Sequence, residues 1–292
     1  MATFLGSSDA LCISISMSRS SSRTSASREN TPAETSSIEG LQDVHIHQYT
    51  SIRHLQERVG SQSTELLAGR SNQQYLIFRG VTKGGLAEID RKRGSIGKHT
   101  RITYDAGADL LIVKLMPSVE HESTHLLLAY YLNRALETMG LPLQPLFPLG
   151  GTKFSGPNSS KEGDSAYKPN SRDKRTDWPT IVFESGLSKG LTRLRHDARW
   201  WLTNSGGDVK IVIIISVTPA EKILQVEKWC LSPATGNRPA ATAPPNPNYL
   251  VPTRMQEITI TQYPATPPNL TAQPSTTAQP TAAKGIAYLL EQ

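Results

Sequence analysis

The chain has 292 residues, enough for one sizeable domain or two small ones, yet only 37% are hydrophobic and 6% aromatic, too little for a core running from end to end. Its 31 basic and 25 acidic residues leave a net charge of +6, and because the two signs are interspersed, the excess permits an acidic partner such as nucleic acid without forming a basic tail. The two cysteines, Cys12 and Cys230, lie far apart in unlike segments, which supports neither a disulfide framework nor a cysteine metal site.

The N-terminal stretch MATFLGSSDALCISISMSRSSSR has neither a basic leader nor a continuous apolar segment, so a secretory signal is not expected. No apolar run along the chain approaches the roughly 20 residues that span a bilayer. An intracellular protein of the cytoplasm or nucleus, with no membrane partner, is the expectation. From Ser14 to Ser37 Ser, Thr, Arg and Glu dominate, a composition that buries too little apolar surface to offset the entropy of ordering. Residues 1–74 are accordingly expected to be mostly disordered.

Residues 75–232 carry the mixed periodicities of an α/β domain. RITYDAGADLLIVKLMP reads as a strand, a turn at Ala106-Gly107 and a second strand over Asp109 to Leu115, ended by Pro117. SVEHESTHLLLAYYLNRALETMGL reads as a helix opened by Ser118 and closed by Gly140. PTIVFESGLS then forms a strand, LTRLRHDARWWLTNSG an amphipathic helix, DVKIVIIISV a buried strand and ILQVEKWCL another. On that second helix Leu191, Leu194, Ala198 and Trp201 share the apolar face, and Arg193, His196, Arg199 and Trp200 fall on the outer one. A Pro/Ala-rich excursion follows at 233–253, then a strand returning to the domain at 254–263 and a Pro/Thr-rich tail at 264–292, expected to be disordered.

Two constellations carry chemistry. The first is His121-Glu122-Ser123-Thr124-His125. Residues i and i+4 of a helix lie on one face, so His121 and His125 could reach one Zn²⁺ with Glu122 as general base. A catalytic zinc needs a third protein ligand, and Leu128 and Tyr131 stand where the extended motif has Gly and His. No tight zinc is expected here. The second is Asp164, entering the short strand SAY, with Glu184, ending the strand TIVF. Two carboxylates at neighbouring strand ends can hold Mg²⁺ or Mn²⁺, which orients water and stabilises the charge that builds up on a phosphodiester. The basic loop after Asp164, with Lys168, Arg172, Lys174 and Arg175, is a candidate for tracking phosphates.

Pro179, Glu184, Gly186, Ser188, Asp197, Ala198, Trp201 and the strand VKIVIIISV, over about Ile102 to Leu231, resemble the PD-(D/E)XK or restriction-endonuclease-like superfamily. Compact uncharacterised fungal and bacterial branches are the nearest likeness. The resemblance implies a mixed central sheet flanked by helices, Asp164 and Glu184 as metal ligands, and an acid from the preceding helix, Glu122, facing them. It also implies a basic catalytic residue. Gly186 occupies the usual lysine position, and Ala198 the relocated one, so Arg199 beside it becomes the candidate. A metal-dependent nuclease is the first expectation, a degenerate domain binding nucleic acid or protein the second, and a zinc hydrolase the third. Dialysed protein is expected to carry no stoichiometric zinc by atomic absorption; zinc retained by the wild type and lost in His121→Ala would establish the third reading.

Overall fold

The computed structural model describes residues 12–19, 37–97, 99–116, 119–141, 145–233 and 250–263, with only the backbone at 12–15, 18–19, 119–125 and 262–263. The described residues form an α/β fold of two mixed sheets and four helices. The seven-stranded sheet has the spatial order β1 (Cys12–Arg19), β13 (Leu250–Tyr263), β12 (Ile223–Pro233), β11 (Ile211–Thr218), β10 (Ile181–Leu187), β9 (Ser165–Pro169) and β6 (Leu146–Pro148). The six-stranded sheet runs β2 (Ile46–Gln48), β3 (Tyr75–Arg79), β5 (Leu110–Leu115), β4 (Thr100–Asp105), β8 (Ser159–Glu162) and β7 (Lys153–Ser155). One parallel pair occurs in each, β10 with β11 and β2 with β3. The helices are α1 (Ile52–Leu67), α2 (Lys83–Arg91), α3 (Val119–Thr138) and α4 (Leu191–Asn204), the last joining the parallel strands β10 and β11.

Side-chain alternation sorts the two faces of the seven-stranded sheet. Ile181 and Phe183 of β10, with Ile213 and Ile215 of β11, pack under Leu128, Ala129 and Leu132 of α3. Val182, Val212 and Ile214 pack under Leu194, Ala198 and Trp201 of α4. The six-stranded sheet covers one face with Leu55 and Val59 of α1 and Ile89 of α2. Its other face carries Tyr75, Ile77, Leu110 and Ile112 beneath Leu41. Residues 159–169 pass from β8 in one sheet to β9 in the other and so tie the sheets together.

The described part of residues 1–74 departs from the disorder expected there. Three apolar residues at helical spacing, Ile52, Leu55 and Val59, are enough to seat α1, and Ser51 accepts a hydrogen bond from the His54 backbone N–H to open it. Residues 12–19 pair as β1 with β13. Residues 20–36 and 264–292 lie outside the described residues, as do 234–249 of the excursion expected at 233–253; Pro233 and residues 250–253 are instead strand, paired between β12 and β13. The hairpin strand begins one residue later than its pattern suggests, because Asp109 sits at φ 50° inside the turn. That hairpin also belongs to a sheet of its own rather than to the expected single central sheet, since β4 and β5 continue into β8, β3 and β2.

Helix α3 is apolar on both sides: Leu126, Leu127 and Tyr130 are exposed opposite the face that meets the sheet. Replacing Ile214 by Ala is therefore expected to lower unfolding stability by about 2–5 kcal/mol in urea titration, and Leu127→Ala by less than about 0.5 kcal/mol. Equal losses would show that the outer face of α3 is covered in solution.

Candidate site: a buried charge network where the two sheets meet

Alternation along β5 puts Lys114 on the same face as Leu110 and Ile112, opposite Tyr75 of β3. Lys161 of β8 lies opposite Thr103 of β4. Alternation along β10 turns Glu184, like Val182, toward α4. Asp164 occupies the bend between β8 and β9. These four side chains meet below α4, whose Arg193 and Asp197 complete a set of three cations and three anions.

The contacts close on one another. The Lys114 ammonium lies 2.8 Å from Asp164 Oδ2 and 3.4 Å from Glu184 Oε2. Lys161 Nζ lies 3.4 Å from Glu184 Oε1 and 3.1 Å from Asp197 Oδ2. Arg193 Nε lies 3.1 Å from Asp197 Oδ1. Neutral donors add to two of the carboxylates: the Trp201 indole N–H donates to Glu184 Oε1 at 2.7 Å, and the Ser185 N–H and hydroxyl donate to Asp164 Oδ2 at 2.7 and 3.1 Å. Every one of the six charged side chains is at most 4% exposed. Removing an ion from water costs several kcal/mol even after relaxation, so such a set persists only when charges and hydrogen bonds both balance.

Burial pulls the Lys114 ammonium downward, but Asp164, Tyr75 and Glu184 more than reverse it and leave Lys114 above the usual lysine range. Burial pushes the Glu184 carboxyl up, against the pull of Lys161 and Lys114, to a value above the usual range. Burial also raises Asp197, yet Arg193 and Lys161 outweigh it and hold this carboxyl below its usual value.

Asp164 and Glu184 are thus brought together, and Lys114, Lys161, Arg193 and Asp197 join them. Arg199 stands apart: its guanidinium meets Glu39 at 2.5 Å and is 36% exposed. Arg193, placed by the helical pattern on the outer face, is buried instead, because residues 37–41 cover it and its Nη1 donates to Ser37 O at 2.6 Å. The side chains of His121, Glu122 and His125 lie outside those described; the backbone puts them in the first turns of α3, which packs on the sheet face opposite Glu184.

In the basic loop, Lys168 is buried and donates to Lys174 O at 2.5 Å, and Arg172 pairs with Asp208 at 3.1 Å. Lys174 and Arg175 are exposed. Arg172, Arg175, Asn170, Thr152 and the exposed Phe147 line a groove of about 530 Å³.

A divalent ion between Asp164 and Glu184, as the family resemblance implies, does not fit this arrangement. The facing oxygens Asp164 Oδ2 and Glu184 Oε2 converge on the Lys114 ammonium, which cannot share that point with a metal. Among the described residues no group of three or more His, Cys, Asp or Glu side chains gathers to hold an ion.

Asp197→Asn leaves Arg193 and Lys161 short of a counter-charge and is expected to cost about 3–5 kcal/mol at neutral pH in chemical denaturation. The Asp197 carboxyl is depressed in the fold, so its contribution is complete above the unfolded value of about 3.9 and is lost as pH falls through the lower folded value. The gap between wild type and variant should close over that acid range; a gap constant down to the acid limit would remove Asp197 from the network.

No protein-family profile matches the chain, and no curated protein matches it by sequence. Among solved structures the chain is similar to a DUF820 protein of Anabaena variabilis described as a candidate nuclease, with 17% identity, 43% of this chain and 70% of that chain covered, and a TM-score of 0.31.

Proposed function

We propose that this chain is a restriction-endonuclease-like domain that binds nucleic acid without hydrolysing it. The succession of β9, β10, α4 and β11, with Asp164 entering the first strand and Glu184 within the second, supports the nuclease-like reading. The observation that carries the loss of hydrolysis is the Lys114 ammonium between the two acids, in a network at most 4% exposed. Hydrolysis by an ion on Asp164 and Glu184, assisted by Glu122 and Arg199, would require this network to open and Lys114 to leave.

Binding is assigned to the groove at the edge strand β6. Phe147 offers a half-exposed ring on which a base can stack, and stacking on an aromatic side chain contributes about 1–3 kcal/mol per base. Lys168 and Arg172 are spent on Lys174 O, Asp177 and Asp208 and hold the loop. That leaves Lys174 and Arg175 to meet phosphates, which fixes position rather than sequence.

Fluorescence anisotropy with labelled single- and double-stranded oligonucleotides over a salt series tests both halves, with product analysis in Mn²⁺, Mg²⁺ or chelator. The expected result is salt-dependent binding with no cleavage in any condition. Phe147→Ala should weaken single-strand binding about 5- to 150-fold, and Arg175→Ala should reduce the salt slope by about 0.7–0.9. Metal-dependent cleavage abolished by Glu184→Ala would make the chain an active nuclease, whereas folded protein with no affinity for any oligonucleotide would turn the search to protein partners.

A further inference from the structure

Six charged side chains could be neutralised in many pairings, and the one adopted is informative. The two acids come from different elements, Asp164 from the bend that crosses between the sheets and Glu184 from β10, yet one oxygen of each faces a single point. A pair so arranged is a partial coordination shell: oxygen donors converging from independent elements are what Mg²⁺ or Mn²⁺ requires. The cation at that point is supplied by the chain itself. Lys114 reaches it from β5, where the alternation of an otherwise apolar strand leaves no other direction for its side chain. An ammonium has three N–H donors and no acceptor. Two of these are directed at Asp164 Oδ2 and Glu184 Oε2. Across the register from Lys114, the Tyr75 hydroxyl is buried with no hydrogen-bond partner among the described residues, a further oxygen beside the same site.

We propose that Lys114 is a built-in counter-ion: its ammonium takes the divalent-cation position of the Asp164–Glu184 pair, so the native chain binds no metal there. Shortening Lys114 converts the pair into a divalent-cation site. The proposal rests on the reading of Asp164 and Glu184 as a nuclease-type acid pair and is independent of the nucleic-acid groove. The ion in the shortened variant would be held by Asp164 Oδ2 and Glu184 Oε2, with water in the volume the lysine stem vacates and the Tyr75 hydroxyl in reach of that water. Lys161 stays with Asp197 and with the other Glu184 oxygen, so one positive charge is exchanged for two and the neighbouring pairs are left as they are.

The test is Mn²⁺ binding to the full chain, read by loss of the free-ion electron paramagnetic resonance signal, together with thermal unfolding in Mn²⁺ and in chelator. Wild type is expected to show no binding that Glu184→Gln removes and the same melting temperature in both conditions. Lys114→Ala is expected to take up stoichiometric Mn²⁺ and to melt higher in Mn²⁺ than in chelator, and Lys114→Ala combined with Glu184→Gln to lose both effects. Lys114→Met fills the volume without a charge and should bind nothing. If Lys114→Ala does not fold in chelator, recovery of the fold on adding Mn²⁺ supports the proposal; if it folds in neither condition, Lys114→Ser is read in the same way. Failure of both shortened variants to bind Mn²⁺ overturns the proposal, as does Mn²⁺ binding by the wild type that Glu184→Gln abolishes. Oligonucleotide affinity of the wild type is read separately, so loss of the binding function and loss of the counter-ion role are distinguishable.

Discussion

Charge neutrality in a space closed to water is the constraint on which the rest of this fold depends. Lys114, Lys161 and Arg193 face Asp164, Glu184 and Asp197 where α4 and the two sheets converge. None of these groups finds a counter-charge within its own element except the Arg193–Asp197 pair of α4. The relative placement of both sheets and the helix is therefore fixed to within hydrogen-bond distances, since a displacement that separated one pair would strand an ion in an apolar surround. Apolar packing above and below the junction, through Trp201, Val182 and Leu194 on one side and Ile77 and Ile112 on the other, tolerates small slips; the network does not. Gly163 belongs to the same constraint, because a Cβ there would stand 3.1 Å from the Trp201 ring that donates to Glu184.

A second clamp closes the junction from outside. Residues 37–41 lie over α4, with Glu39 bonded to His196 and Arg199 and the Ser37 carbonyl bonded to Arg193. Gly40 adopts φ 77°, and a Cβ at this position would fall 2.5 Å from the Arg193 backbone nitrogen, so a side chain here would lift the segment off the helix. Burial raises the Glu39 carboxyl, but His196 and Arg199 together hold it below its usual range. The segment that looks dispensable by composition thus completes the cover of the most polar part of the interior.

Sequence pattern made part of this arrangement legible. The hairpin over β4 and β5, the helix α4 and the strands β10 and β11 follow from alternation and helical spacing, and Asp164 and Glu184 stand out as acids at the entrance and within an apolar strand. Lys114 did not, because one charge inside LLIVKLM reads as a strand interrupted by a solvent-facing residue; only its pairing with Tyr75 shows that it points inward. Arg193 falls on the polar side of its helix by periodicity, and the cover that buries it comes from residues more than 150 positions away, Ser37 being separated from it by 156. Helix α1 was hidden by its low apolar content, since three residues seat it against the sheet. In each case the missing information is a long-range contact, which local pattern does not encode.

The pairing of β1 with β13, Cys12 opposite Tyr263, gives the molecule an order of assembly. During synthesis β1 leaves the ribosome long before β13, its partner among the described residues, has been made. Until that late pairing forms, the backbone edge of β13 presents unpaired N–H and C=O groups along most of its length, the kind of edge to which another chain can add. Strand β1 therefore acts as a guard, converting an adhesive border of β13 into a finished one.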